Sequence, residues 1–336
     1  MPDERARAPL RPVGGDTDPP PPVRNPGLAF DADRIAAIRV NARATASQAH
    51  TIATRRPVAP AQEPAWLMRA IALTDLTTLS GDDTPGRVRR LAAKARAPLG
   101  PALTGALGPA AEGLHTAALC VYHEMIPAAR AALAGSGIPV AAVSAGFPAG
   151  LSPFDLRVDE VRRSVAAGAD EIDIVISRRH VLLGDWAALH AEIRAFREAC
   201  GPAHLKAILA TGELGSLTDV ARASMVAMMA GADFIKTSTG KEPVNATLSV
   251  SLTMLRAIRA YEAETGARVG FKPAGGISKA ADALSWMALV QAEAGDDWLT
   301  PGLFRFGASS LLGAIEKRLG VLVWGHAPAP WQMPMG

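Results

Sequence analysis

The chain has 336 residues, 49% hydrophobic and 20% charged, enough apolar material for one large α/β domain or two ordinary ones. Its net charge of +3 comes from 35 basic against 32 acidic residues, and the excess is not gathered into blocks, so no nucleic-acid partner is expected. Two cysteines, Cys120 and Cys200, argue against a disulfide framework and fit a reducing cytosol; no membrane-length apolar run and no secretory signal is evident.

Residues 1–64 read as an extension before the main domain. The first 27 or so are rich in Pro and Gly, with a proline run at 19–22, and suggest a mobile tail. From 30 to about 49, Ile35 and Ile38 at helical spacing after Asp31 and Asp33 predict a helix. It would cap the domain or meet another subunit. A proline-containing stretch at 56–64 ends the extension.

From about residue 65 short apolar runs alternate with amphipathic ones. Strands are expected at 71–76, 116–122, 139–147, 171–177, 204–210, 234–239, 268–273 and 303–308. Helices are expected at 85–95, 127–135, 155–167, 185–200, 218–230, 247–264, 279–294 and 309–319. Eight such units in this length match a (β/α)8 TIM barrel over 65–320. An open doubly wound sheet is disfavoured, since no GxGxxG follows the first strand; 81–83 and 100–108 read as plain loops. Residues 321–336 form a tail containing Trp324 and Trp331.

Side-chain parity then places the charged strand residues. Ile172, Ile174 and Ile176 share the face suited to the helix layer, so Asp173 points into the barrel. The same alternation turns Lys206, Lys236 and Lys272 inward. A lysine that loses water and sits beside another cation holds its proton less firmly and becomes nucleophilic near neutral pH. The competing reading is a buried ion-pair network without chemistry. Three glycine-containing loops, at 239–241, 273–278 and 306–310, follow the last three strands. Barrels often bind phosphate there, with backbone N–H groups at Gly240, Gly275 and Gly276, the Lys241 cation, and hydroxyls at Ser309 and Ser310.

Two long segments carry a resemblance. Phe234-Ile235-Lys236-Thr237-Ser238-Thr239-Gly240-Lys241 and Val269-Gly270-Phe271-Lys272-Pro273-Ala274-Gly275-Gly276 resemble the lysine motifs of the deoxyribose-phosphate aldolases. Glu171-Ile172-Asp173-Ile174-Val175, Ala210-Thr211-Gly212-Glu213-Leu214, Arg305-Phe306-Gly307-Ala308-Ser309-Ser310 and Asp75-Leu76-Thr77-Thr78-Leu79 are similar too, in family order. The resemblance implies a class I aldolase that uses a lysine Schiff base and neither metal nor cofactor. It implies reversible cleavage of 2-deoxy-D-ribose 5-phosphate to acetaldehyde and D-glyceraldehyde 3-phosphate. Composition points to the cytoplasm with no nucleic-acid or membrane partner, and the helical extension to a homo-oligomer, a dimer or larger. Lys236 corresponds to the nucleophile, Lys272 to the cation that tunes it, and Asp173 to the acid/base partner. Asp75 and Thr211 correspond to substrate-hydroxyl contacts, and Lys206 supports the charge network. The chain departs from the pattern at Ser278, where relatives often carry a basic residue, and in a tail that offers tryptophans in place of a tyrosine.

Overall fold

A computed structural model describes residues 24–55 and 58–333. The proline run at 19–22 lies outside them. The extension holds α1 (Ala32–Ala37), α2 (Ala42–Arg55) and only the start of α3 (Glu63–Ala72). The chain continues as β1 (Thr74–Thr77), α4 (Pro85–Arg96), α5 (Pro101–Leu107), β2 (Ala118–Tyr122), α6 (Ile126–Leu133), β3 (Val140–Ser144), α7 (Phe154–Ala166) and β4 (Glu171–Val175). There follow α8 (Arg178–Leu182), α9 (Trp186–Cys200), β5 (His204–Ile208), α10 (Leu217–Met229), β6 (Phe234–Lys236) and α11 (Leu248–Thr265). The last elements are β7 (Gly270–Lys272), α12 (Ala280–Ala294), β8 (Phe306–Ala308) and α13 (Leu311–Trp324).

Each strand from β1 to β6 pairs in parallel with the next, and β8 pairs with β1. Parallel bridges Phe271–Phe304 and Ala274–Gly307 close the ring between β7 and β8. This is the expected TIM barrel. Side-chain hydroxyls and carboxylates cap the helices that leave the carboxyl ends of strands: Thr84 on α4, Asp185 on α9, Ser216 on α10 and Thr247 on α11. These caps satisfy orphan N–H groups and point helix N-termini toward one end of the barrel. Ile172, Ile174, Ile176, Ile235 and Phe271 join the core between sheet and helices, as parity requires. A smaller apolar cluster of Ala118, Cys120, Ala141 and Val143 lies on the inner face of β2 and β3.

Several boundaries differ from the sequence expectation. Residue 71 does not begin a strand: Trp66, Leu67, Ala70 and Ile71 form the buried face of α3, and β1 starts at Thr74. An apolar run buried on all sides has no period that separates helix from strand. The helix expected from 30 to 49 is broken, because Ile38 is extended after α1. Residues 101–107 form a helix with Pro101 at its first turn, where a missing N–H costs nothing. Helix α13 runs five residues beyond 319, to Trp324.

The extension packs on its own barrel, α1 against α9 and α10, and α2 against α11 and α12. Residues 24–27, expected in a mobile tail, are anchored. Asn25 donates from Nδ2 to the carbonyls of Met228 at 2.7 Å and Ala232 at 2.9 Å, and accepts from the Tyr261 hydroxyl at 2.9 Å. Its N–H reaches Asp233 at 3.0 Å, just ahead of β6. The tail after α13 folds back under the opposite end of the barrel from the site. A Cβ on Gly100, beyond the C-terminus of α4, would lie 2.0 Å from the Gln332 carbonyl. Trp324 and Trp331 are therefore remote from the carboxyl ends of the strands. Among the described residues no helix is long and apolar enough to cross a membrane.

Replacing Asn25 by Ala removes its bonds to the Ala232 carbonyl and the Tyr261 hydroxyl and leaves the Met228 carbonyl only the Gly231 N–H. We expect a loss of about 2–4 kcal/mol, read as a lower midpoint in urea unfolding, with activity of the folded fraction retained.

Candidate active site

The inner face of the barrel carries seven charged side chains that touch one another. Asp173, central on β4, accepts at Oδ2 from Lys236 Nζ and Lys272 Nζ, both at 2.8 Å, and at Oδ1 from Lys206 Nζ at 2.9 Å. Lys272 also donates to Asp75 Oδ2 at 2.5 Å, and Lys206 to Glu171 Oε2 at 2.5 Å. Arg305 spans the far side, at 2.5 Å from Asp75 and 2.9 Å from Glu171. The strand register brings these groups together: Asp173 lies beside Lys206, and Lys236 beside Lys272.

The sequence reading expected three lysines and one aspartate in electrostatic strain. The structure adds Glu171, Asp75 and Arg305, so four cations meet three carboxylates. Glu171 was visible two residues before Asp173, on the same face of β4. Arg305 shares the parity of Gly307. Neither had been assigned a role.

The cluster treats its lysines unequally. Burial lowers the Lys236 amine below an ordinary lysine; Asp173 opposes the shift and the Lys272 charge adds to it. Burial would lower Lys272 as well, but Asp173 and Asp75 outweigh it and hold that ammonium above its usual value. Lys206 is likewise raised, its desolvation overcome by Asp173 and Glu171. Burial would raise Asp173, yet Lys206, Lys236 and Lys272 keep its carboxyl well below the usual range. Lys236 also retains some exposed side-chain surface, 3%, against none for Lys206 and Lys272. A carbonyl compound entering from the mouth therefore meets the one amine of the three whose proton is held weakly.

One expected substrate contact, Asp75, does not fit its position, and Lys206 lies in the charge network rather than against the mouth of the barrel. Asp75 is fully buried, with its oxygens committed to Arg305 and Lys272. Lys206 is fully buried beneath Asp173. Thr211 is buried on the turn after β5, and its hydroxyl has no partner within the protein. The Ser238 hydroxyl, two residues beyond Lys236, is also buried and unpartnered, a position the sequence reading passed over.

The three glycine-containing loops are neighbours. Ala274 joins the loop after β6 through the Thr237 hydroxyl at 3.0 Å, and Gly307 donates to the Pro273 carbonyl at 2.9 Å. Gly240, Lys241, Gly276, Ser309 and Ser310 are exposed, with Gly275 half-buried. Gly275 needs to be glycine twice over, since its φ is +77° and a Cβ would meet the Asn245 side chain at 2.6 Å. One expected donor is already engaged: the Gly240 N–H bonds to Glu242 Oε2 at 3.2 Å.

A closed parallel barrel with a weakly protonated amine, a shared carboxylate and a second ammonium at the carboxyl ends of its strands has the arrangement of an enzyme. Residues 69–317 match the model of the DeoC/LacD family of aldolases. A human deoxyribose-phosphate aldolase is 53% identical over 93% of this chain and 99% of its own length. A bovine deoxyribose-phosphate aldolase is 52% identical over 92% and 98%. The crystal structure of a putative deoxyribose-phosphate aldolase from Coccidioides immitis superposes with a TM-score of 0.65 at 21% identity, covering 86% of this chain and 98% of that one. The chain belongs to the DeoC/LacD aldolase family; it is a carbon–carbon lyase.

The carboxyls of Asp75, Glu171 and Asp173 all have folded pKa values depressed below those of an unfolded chain. Their contribution to stability is complete above the unfolded value of about 4 and drains away as pH falls through the folded ones. The melting temperature should hold between about pH 8 and pH 5 and fall below about pH 4. Asp173→Asn should make that fall shallower.

Proposed function

We propose that this enzyme cleaves 2-deoxy-D-ribose 5-phosphate, reversibly, to acetaldehyde and D-glyceraldehyde 3-phosphate through a Schiff base on Lys236. The observation that carries the reading is the unequal treatment of the lysines. Lys236 has one carboxylate partner, which it shares, whereas Lys206 and Lys272 each have two within 3 Å. The names of the human and bovine relatives supply the substrate.

The neutral amine of Lys236 adds to the C1 aldehyde of the open-chain sugar. Loss of water from the carbinolamine gives an iminium. The C3 hydroxyl then loses its proton, the C2–C3 bond breaks, and the electron pair moves into the iminium to leave an enamine. Protonation of C2 and hydrolysis release acetaldehyde and restore the amine. Asp173 and Lys272 are the proton-handling pair, 2.8 Å apart and next to Lys236, acting through water where the substrate lies out of reach. The phosphate sits on Lys241, Gly275, Gly276, Ser309 and Ser310, with Gly240 supplying the turn. Thr211 contacts a substrate hydroxyl. The exposed apolar residues Leu151, Phe154, Leu156, Leu182 and Leu183, on and beside α7 and α8, support a homo-oligomer. Free, buried Cys120 and Cys200 suit the cytosol.

Borohydride reduction in the presence of 2-deoxyribose 5-phosphate should leave a stable adduct on the Lys236 peptide, read by mass spectrometry. An adduct on Lys272 or Lys206 instead would overturn the assignment. Lys236→Arg should reduce turnover by at least about a thousandfold with little change in melting temperature.

Lys272→Met leaves three cations with three carboxylates, so Lys236 must keep its proton to hold the balance. The apparent pKa limiting kcat/KM on the acid side should rise. An unchanged pH–rate profile would separate the two lysines.

A further inference from the structure

The loop that follows β6 contains a carboxylate where an anion-binding rim should least tolerate one. Glu242 is 94% buried. The Thr239 N–H donates to both of its oxygens at 3.0 Å, and the Gly240 N–H to Oε2 at 3.2 Å. The next N–H, of Lys241, turns back to the Thr239 hydroxyl at 3.0 Å, and Asn245 Nδ2 donates to the Glu242 carbonyl at 2.8 Å. Three consecutive amides thus find acceptors inside the loop, around Gly240 at a φ of +85°. The Lys241 side chain is left exposed on the outside of this turn.

Arg178, just beyond β4, braces the same carboxylate. One guanidinium nitrogen lies 3.7 Å from Glu242 Oε1, and Nε lies 2.5 Å from Glu213 after β5. Nη1 donates to the carbonyl of Ala149 at 2.7 Å, and the nitrogen nearest Glu242 donates to that of Pro148 at 3.1 Å, in the loop after β3. One arginine therefore ties together the loops that follow β3, β4, β5 and β6. Its charge is shared between Glu213 and Glu242, which offsets part of the negative charge that the Glu242 carboxylate brings beside the phosphate rim.

We propose that Glu242 and Arg178 are positioning residues for phosphate recognition: Glu242 closes the β6 loop as an internal anion, Arg178 fixes Glu242, and together they present Lys241 to the substrate phosphate. This rests on the phosphate reading above. Neither residue touches the reacting carbons, so their effect falls on binding of the phosphorylated half of the substrate.

The test is steady-state cleavage of 2-deoxyribose 5-phosphate and of unphosphorylated 2-deoxyribose. Wild type is compared with Glu242→Ala, Glu242→Gln, Arg178→Ala and the Glu242→Ala/Arg178→Ala double variant. Glu242→Ala should raise KM for the phosphorylated sugar about tenfold with kcat within about threefold, and change kcat/KM for the unphosphorylated sugar by less than about twofold. Glu242→Gln keeps an oxygen for the Thr239 N–H and should recover most of the loss. The double variant should be no worse than Glu242→Ala alone, because Arg178 acts through Glu242. Equal losses on both sugars, a Gln variant as poor as the Ala variant, or additive losses would overturn the proposal. So would a lower KM for the phosphorylated sugar, which would make the Thr239–Gly240 amides an anion site that Glu242 masks. A wild-type enzyme with the same kcat/KM for both sugars would instead remove the phosphate reading, and the proposal with it.

Discussion

The site depends on a charge count made inside the barrel. Asp75, Glu171 and Asp173 face Lys206, Lys236, Lys272 and Arg305, with both sets buried. In a low-dielectric interior such a cluster is stable only when nearly every charge has a close opposite. Lys206, Lys272 and Arg305 each sit within 3 Å of two carboxylates, and Lys236 within that distance of one. Four against three leaves one proton in excess. Losing it from Lys236 makes the cluster neutral and disturbs the fewest pairs. The weak hold on the Lys236 proton is a property of seven residues on six strands and their ends.

Space inside the barrel is as constrained as charge. A Cβ on Gly270 would fall 2.3 Å from the Phe234 ring, and one on Gly307 would crowd Ala274 at 2.8 Å and the Lys272 Cε at 3.3 Å. Phe234 in turn lies under the Arg305 guanidinium, 5.9 Å from ring centroid to carbon. The glycines of these strands leave room for larger groups on neighbouring strands. That is why two long, charged side chains fit across so narrow a barrel.

Much of this was legible in the sequence because the barrel imposes period two on its strands. Alternation alone turned Asp173, Lys206, Lys236 and Lys272 inward, and all four meet. The strand count and order followed from the repeating βα units. What alternation does not give is pairing across the barrel. Asp75 and Arg305 are 230 positions apart, and nothing local to either announces the other. Their partnership turned a presumed hydroxyl contact at Asp75 into a structural counter-charge. Loop interiors were equally opaque: nothing about Glu242, between Lys241 and Pro243, singled it out, and only the fold around Gly240 shows its carboxylate turned back on the backbone. Helix α3 was misread because its apolar face continues directly into β1.

The anchoring of Asn25 has a consequence in time. Its partners, Met228, Ala232 and Tyr261, lie 203, 207 and 236 positions later in the chain. At a ribosomal rate of roughly 5–20 residues per second, the extension waits about 10–45 s before its docking surface has been made. The extension leaves the ribosome well before the surface on which it docks and is therefore among the last parts to find its place. Through Asp233 it then closes on the start of the strand that bears Lys236.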